Sequence, residues 1–512
     1  MRRRLSCCHG PRPLYAAGAQ GLRLRRHKVA GGRQRAVVLL TTTLVLWCSV
    51  QAHAHSVTST DWTVHYNWPD QNTSFTTSGT ADEWSIRQAL LERIDTLASN
   101  DVATLATFTF SGNSDCCGAA GPILNSVSDA LDRGAQVRFI ADSDVPTTTI
   151  FGGTHSLASL AARPQNPLVL VEDDSAFGIM HHKFGLFDYG PTNQWVLTGS
   201  WNFTGGASTY QWNIAIELRN STLYTAYLTE AEELLAGRFH DDPEKSHAHD
   251  GQTFDAAGSW GTHHVRFAPY PSSADGGDNA LRDISNAIAQ AEQEVVFCLN
   301  RLTRESVRDA LVAAADRGIS VYGVMPRSDT DPGETSHEIY AYLTNTVHYA
   351  TTNVVHMVPA FSKADNTATD SGETDLVHAK YMVIDPFGSR PLLIHGSANW
   401  SFSALASTDS NDENLLFLRH RDIARVFYRH FKRVTGLFTG RPDFWCKTAG
   451  SPGLPAVELW VTDTNTFMLE SSPAVATGWS DWQTNILGNA TRRVLPITNA
   501  DDVRFFRAGR AP

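Results

Sequence analysis

Two stretches of the chain carry the same apolar periodicity. Ile86, Leu90, Ile94 and Leu97 recur at the spacing that lines one face of a helix, and the strand-like VATLATFTF follows them; Leu281, Ile284, Ile288 and Ala291 repeat the pattern ahead of EVVFCL. Each pair leads into a second helical run that stops at the tripeptide DRG, in SVSDALDRGAQVRFIADSD (126–144) and in RDALVAAADRGISVYGVMPRSD (308–329). Gly134 and Gly318 stand where a helix needs a left-handed residue to end, and an apolar strand begins directly after each. Both halves therefore read helix, strand, helix, strand, the signature of an α/β unit. Beyond Cys446 the pattern changes to short alternating runs, VELWVTD, TFML and VRFFRA, which predict a small all-β module over 452–512.

The repeat extends to polar residues. HHKFGLFD (181–188) and HAKYMVID (378–385) match with His181, Lys183 and Asp188 each 197 positions before His378, Lys380 and Asp385. The same separation carries Gly199, Ser200 and Asn202 of GSWNF onto Gly396, Ser397 and Asn399 of GSANW. Such agreement points to a duplication. It predicts two α/β domains, 55–240 and 263–446, related by a pseudo-twofold axis and joined by a polar linker at 241–262. His240, His247 and His249 in and beside that linker are expected to be solvated, not to hold a metal.

In a strand, residues two apart face the same way, so each histidine points with its lysine. Asp188 and Asp385, of opposite parity, are expected to support the site from the strand end without touching substrate. A shared cleft would then contain two imidazoles, two ammonium groups and the neutral groups of Ser200, Asn202, Ser397 and Asn399. Lysines and neutral donors of this kind can neutralise the oxygens of a phosphodiester as charge builds up. One neutral imidazole attacks phosphorus and the other, protonated, serves the leaving alkoxide. No metal and no cofactor is required.

The HxKxxxxD and GSxN motifs, present twice, resemble those of the phospholipase D superfamily, the HKD phosphodiesterases, over roughly residues 60–445. The resemblance implies two α/β domains with the active site between them, and it makes His181 the nucleophile and His378 the acid. Members of that superfamily often place a glutamate after GSxN to orient a histidine. Glu413 in NDENLL fits that role in the second half and would favour His378 as the better-oriented ring. In the first half, YQWNIAIEL has Trp212 at the comparable place, with Glu217 as the nearest substitute.

Composition narrows the setting. The first 54 of the 512 residues hold ten of the 42 Lys and Arg and no acidic residue, followed by AVVLLTTTLVLWCSV and QAHAHS. This is the layout of an export signal cut after Ala54, and its apolar run falls short of the ~20 residues that span a bilayer. Taking those ten away leaves 32 basic against 53 acidic residues, a balance of −21. Such a surface disfavours nucleic acid unless the cleft is locally basic. The expected substrate is a phospholipid, with a secreted or periplasmic monomer meeting membrane surfaces transiently through cleft loops or through Trp479 and Trp482. A secreted nuclease acting on DNA or RNA is the first alternative and an inactive binding protein the second. Cys116, Cys117, Cys298 and Cys446 read as structural, since no CxxC spacing suggests zinc.

Overall fold

The structure is a computed structural model. It describes residues 56–67, 85–112, 118–175, 178–209, 211–240, 242–270, 279–330, 332–345, 356–360, 376–405 and 411–439, together with six strands between 444 and 510. The proposed leader at 1–54, Cys116, Cys117 and Trp479 lie outside the described residues.

Two eight-stranded mixed sheets share one topology. Across the first, the strands run Ser56–Thr58, Trp62–Tyr66, Ile214–Arg219, Gln194–Gly199, Lys183–Asp188, Val102–Thr107, Gln136–Ala141 and Val169–Glu172. Across the second, they run Thr253–Phe254, His263–Ala268, Glu413–Leu418, Leu392–Gly396, Lys380–Ile384, Glu294–Leu299, Ser320–Pro326 and His356–Ala360. In each sheet the last three strands are parallel to one another and the remaining pairings are antiparallel. The α/β class and the duplication are thus present strand for strand.

The outer face of each sheet is covered by the helices that the periodicity predicts, Ser85–Asp95 and Ala120–Asp132 in one half, Ala280–Ala289 and Glu305–Asp316 in the other. Their apolar faces enter separate cores, Ile86, Leu90 and Ile94 in the first, Leu281, Ile284 and Ile288 in the second. The inner faces meet in a third core common to both halves, where Phe184 and Tyr227 join Tyr381 and Phe427. The DRG tripeptides owe their recurrence to two tasks. Gly134 and Gly318 adopt φ of 89° and 88°, as a helix stop requires. The preceding arginine donates to carbonyls at the end of the neighbouring helix, Arg133 to Ile94 O and Leu97 O, Arg317 to Ile288 O.

Three expectations need correction. The strand after the first helix ends at Thr107, and Phe110–Ser111 is a separate short strand. The segment between the halves is solvated only in part: His240, Lys245 and His249 are buried among carboxylates, and His247 is half-buried. Strand structure in the tail begins at Phe444, as two three-stranded antiparallel sheets, with Cys446 in the first strand. Cys298, buried in the second half, is a free thiol that burial pushes up to about 12. No helix among the described residues is long and apolar enough to cross a membrane.

Candidate active site

The twin motifs lie at the heads of the central strands. Lys183 opens Lys183–Asp188 and Lys380 opens Lys380–Ile384, so that His181 and His378 fall just before their strands. Both lysines are fully buried and both turn back on the chain, Lys183 Nζ donating to His181 O (2.8 Å) and Lys380 Nζ to His378 O (3.0 Å). The lysine stem thus fixes the backbone of the histidine two residues earlier. Lys380 Nζ also lies 3.2 Å from His378 Nε2, the nitrogen available for chemistry.

Each histidine segment is sewn to the opposite half. His181 N donates to Asp412 O (3.0 Å) and Asp412 N to Ile179 O (3.1 Å), whereas His378 N donates to Trp212 O (3.2 Å). Gln211–Trp212 also pairs in parallel with Leu376–Val377. The two histidines and two lysines of the motifs therefore share one centre, and both lysines act electrostatically on both rings.

Strand register identifies the groups that orient the rings. Gly199 pairs with Ala215 and Gly396 with Leu415, so the residues two earlier, Asn213 and Glu413, are structural equivalents. These glycines are required because the neighbouring strand approaches so closely. A Cβ on Gly199 would clash with Ile214 O, and one on Gly396 would clash with Asn414 O more tightly still. Glu413 reaches across the interface to His181, its Oε1 lying 2.6 Å from Nδ1. Asn213 does the same for His378, its Oδ1 accepting from Nδ1 at 3.0 Å beside Ser200 O at 3.1 Å. The expectation that Glu413 favours His378 is thereby reversed, and Glu217, the expected substitute in the first half, bonds to neither of these two rings. Glu217 binds His65 Nε2 (3.0 Å) and Arg93 Nε (2.8 Å) instead.

The remaining motif residues divide. Ser200 and Ser397, expected to bind phosphate, are fully buried and already engaged: Ser200 Oγ donates to Asn213 Oδ1 (2.8 Å), Ser397 Oγ to Glu413 Oε2 (2.6 Å). They brace the orienting groups. Asn202 and Asn399 each keep a buried Oδ1 without a partner among the described residues; an amide oxygen only accepts, so the expected contact with phosphate oxygens falls to their Nδ2 groups. Asp188 and Asp385 stand at the opposite ends of their strands, roughly 16 Å from the lysines at strand rise. Asp188 accepts from Gly190 N and Gln194 Nε2, Asp385 from the amides of Glu292, Gln293 and Glu294. They stand at strand ends, as expected, but the bonds they make close those ends and do not reach the rings or lysines they were expected to support.

Sequence reasoning missed Asn213 and also Phe108, whose ring packs 4.9 Å from that of His181 and 5.3 Å from Lys183 Nζ. Among the described residues no group of three or more His, Cys, Asp or Glu is placed to hold a metal ion.

Electrostatically the centre is short of negative charge. Burial pushes Lys183 down to about 7 and Lys380 well below its ordinary range, with the neighbouring lysine adding to the latter shift. Burial first, then both lysines, hold His181 and His378 well below the usual imidazole value. Glu413 is raised by burial to about 7, against the pull of Lys183. A bound oxyanion supplies the missing charge and favours the protonated lysine. Anion binding above pH 7 is therefore expected to take up about one proton, with affinity falling up to tenfold per pH unit there. Calorimetry of phosphate binding at pH 8, in buffers of differing ionisation enthalpy, measures this; heat independent of the buffer would contradict it.

Over residues 94–235 and again over 284–435 the sequence matches the family described as "Cardiolipin synthase, PLD-like domain". No curated protein matches the chain. Polyphosphate kinase from Porphyromonas gingivalis aligns at 11% identity and a TM-score of 0.46, over 73% of this chain and 50% of its own. The chain thus spans about half the length of that kinase. Phosphatidylserine synthase from Haemophilus influenzae Rd KW20 aligns at 12% identity and a TM-score of 0.45, over 67% of this chain and 82% of its own. Nuc from Salmonella typhimurium, a phospholipase D family member, aligns at 22% identity and a TM-score of 0.25, over 35% of this chain and 96% of its own.

Proposed function

The chain belongs to the phospholipase D superfamily, with two PLD-like domains, and from that premise we propose that it is an exported phosphodiesterase that cleaves phospholipid head groups through a phosphohistidine. The observation that carries the chemistry is the crossed orientation of the rings, Glu413 on His181 and Asn213 on His378. A carboxylate at Nδ1 fixes that nitrogen as the donor and leaves the Nε2 lone pair of His181 free to attack. It also balances the positive charge that the ring acquires when its other nitrogen binds phosphorus. An amide oxygen holds His378 in the same orientation without adding charge, which suits a ring that must give its proton away.

The bound phosphodiester's negative charge offsets the burial and the lysines that disfavour a proton on His378 in the free site. In the first step His181 Nε2 bonds to phosphorus, the bond to the head-group oxygen breaks, and protonated His378 delivers its Nε2 proton to that oxygen. In the second, His378 takes a proton from water, the water oxygen bonds to phosphorus, and the P–N bond breaks to release phosphatidic acid. An alcohol in place of water yields a phosphatidyl alcohol. Lys183 and Lys380 neutralise the non-bridging oxygens throughout, and the amides of Asn202 and Asn399 complete their cradle. The excess of acidic residues outside the leader supports a lipid over a polynucleotide, and the basic leader followed by a short apolar run supports export.

The test places the chain from residue 55 onward with phosphatidylcholine vesicles and ethanol, and in parallel with single-stranded DNA. Phosphatidic acid and phosphatidylethanol are expected by mass spectrometry, with the DNA intact. Fragmented DNA without either lipid product would transfer the same chemistry to a nucleic-acid substrate.

A further inference from the structure

We infer that Lys245, carried by the segment that joins the two halves, is a positioning residue for the His181–Glu413 pair. Its ammonium is buried, and it contacts one carboxylate from each half: Asp412 Oδ1 at 2.5 Å and Glu230 Oε1 at 2.8 Å. Each of those carboxylates controls a residue adjoining the pair. Glu230, on the helix Ser221–Leu235, accepts from His182 Nε2 (3.0 Å), next in sequence to His181, and from His249 Nε2 (2.6 Å). Asp412, next to Glu413, accepts His181 N on its backbone carbonyl (3.0 Å) and His240 N on its side chain (2.9 Å).

The neighbouring contacts close the frame. Asn414 Nδ2 lies 3.2 Å from His182 Nδ1, and Asn414 Oδ1 accepts from Thr198 Oγ1 and Tyr227 OH, both at 2.9 Å. His240 Nε2 binds Asp173 Oδ2 at 2.7 Å. A second cation, His240, also bridges the halves, from Asp173 (2.7 Å) to Asp412 (3.1 Å), and against the effect of burial those carboxylates raise its pKa to about 9. Lys245 differs in tying Asp412 to Glu230, so that the residues it holds flank both members of the pair in sequence. Without it, Asp412 keeps His240 as a counter-charge but loses the ammonium that ties it to Glu230, and the loop bearing Glu413 is no longer held to the histidine segment from this side. A shift near 1 Å in a catalytic pair lowers turnover on the order of 100-fold. The expected effect on kcat, though not the effect on the geometry of the pair, rests on the reading of His181 as the nucleophile.

The experiment compares the wild-type chain with Lys245→Met. Kinetics on a diester are expected to show kcat lowered roughly 10–100-fold at unchanged KM. Proton NMR is expected to show the far-downfield signal of the 2.6 Å Nδ1–H to Glu413 bond shifted or lost, while the His378 ring signals stay in place. A folded Lys245→Met chain that keeps both kcat and the downfield signal overturns the inference. Should Lys245→Met fail to fold, Glu230→Gln, which keeps an oxygen acceptor but weakens the grip on the ammonium, is read in the same two ways. Its retention of both kcat and signal is equally fatal. The NMR readout needs no turnover. Wild-type chain inactive on every diester, yet with a signal that moves in the variant, sinks the enzymatic reading and leaves the positioning inference standing.

Discussion

Replacing His181 with alanine is expected to silence turnover of every diester by roughly 10⁴–10⁶-fold, the scale of losing a nucleophile or its base. His378→Ala is expected to cost about 10²–10⁴-fold when the leaving group is an alkoxide, which needs the proton that the ring supplies. The two variants should separate on bis(p-nitrophenyl) phosphate, because p-nitrophenolate leaves as a stable anion. His378→Ala should then release a burst of one p-nitrophenolate per chain and stall, with no base to activate water against the phosphohistidine. His181→Ala should show no burst at all. Rapid-mixing absorbance and recovery of acid-labile phosphate on the protein measure both steps. A burst in His181→Ala and none in His378→Ala would exchange the roles. The geometry that leads to this expectation is the carboxylate on one ring and the amide on the other.

The sequence made the architecture legible wherever the signal was periodic or duplicated. Ile86, Leu90 and Ile94 enter the core their spacing assigns them, and Gly134 and Gly318 take the left-handed backbone that the DRG stops require. The twin histidines and lysines emerged from a constant separation, which survives only where no loop length has changed. That same constancy misled the search for the orienting groups. Glu413 follows Ser397 by 16 positions and Asn213 follows Ser200 by 13, so a fixed offset of 197 sets Ile216 opposite Glu413 and hides Asn213. Only strand register restores the equivalence. Nor does a single strand's periodicity reveal that each orienting group crosses to the other half. The linker failed for a different reason. Composition distinguishes polar from apolar, not solvated from buried, and Lys245 and His249 are buried because Glu230 and Asp412 are there to meet them. Ser200 and Ser397 looked like phosphate ligands because hydroxyls can be, yet their hydrogens are already committed to Asn213 and Glu413.

Glu413→Gln should lower kcat by roughly 10²–10⁴-fold with little change in KM, the scale on which an amide replaces the carboxylate behind a catalytic imidazole. The amide can turn its NH₂ toward Nδ1 and so move the ring proton to Nε2, where it blocks attack. Even with its oxygen on Nδ1 it offers no charge to balance the phosphorylated ring. The reciprocal change, Asn213→Asp, tests the other ring. An anion 3.0 Å from His378 Nδ1 favours the imidazolium, so the acid stays protonated to higher pH and the alkaline limb of the kcat profile should rise by about one unit or more. The acid limb, set by His181, should stay where it is. Aspartate gives up the bond from Asn213 Nδ2 to Ala207 O (2.9 Å), so thermal melts of the variant are measured alongside the pH profiles. An alkaline limb that moves in Glu413→Gln and not in Asn213→Asp would mean that Glu413 serves the acid, and the nucleophile would then be the ring that Asn213 holds.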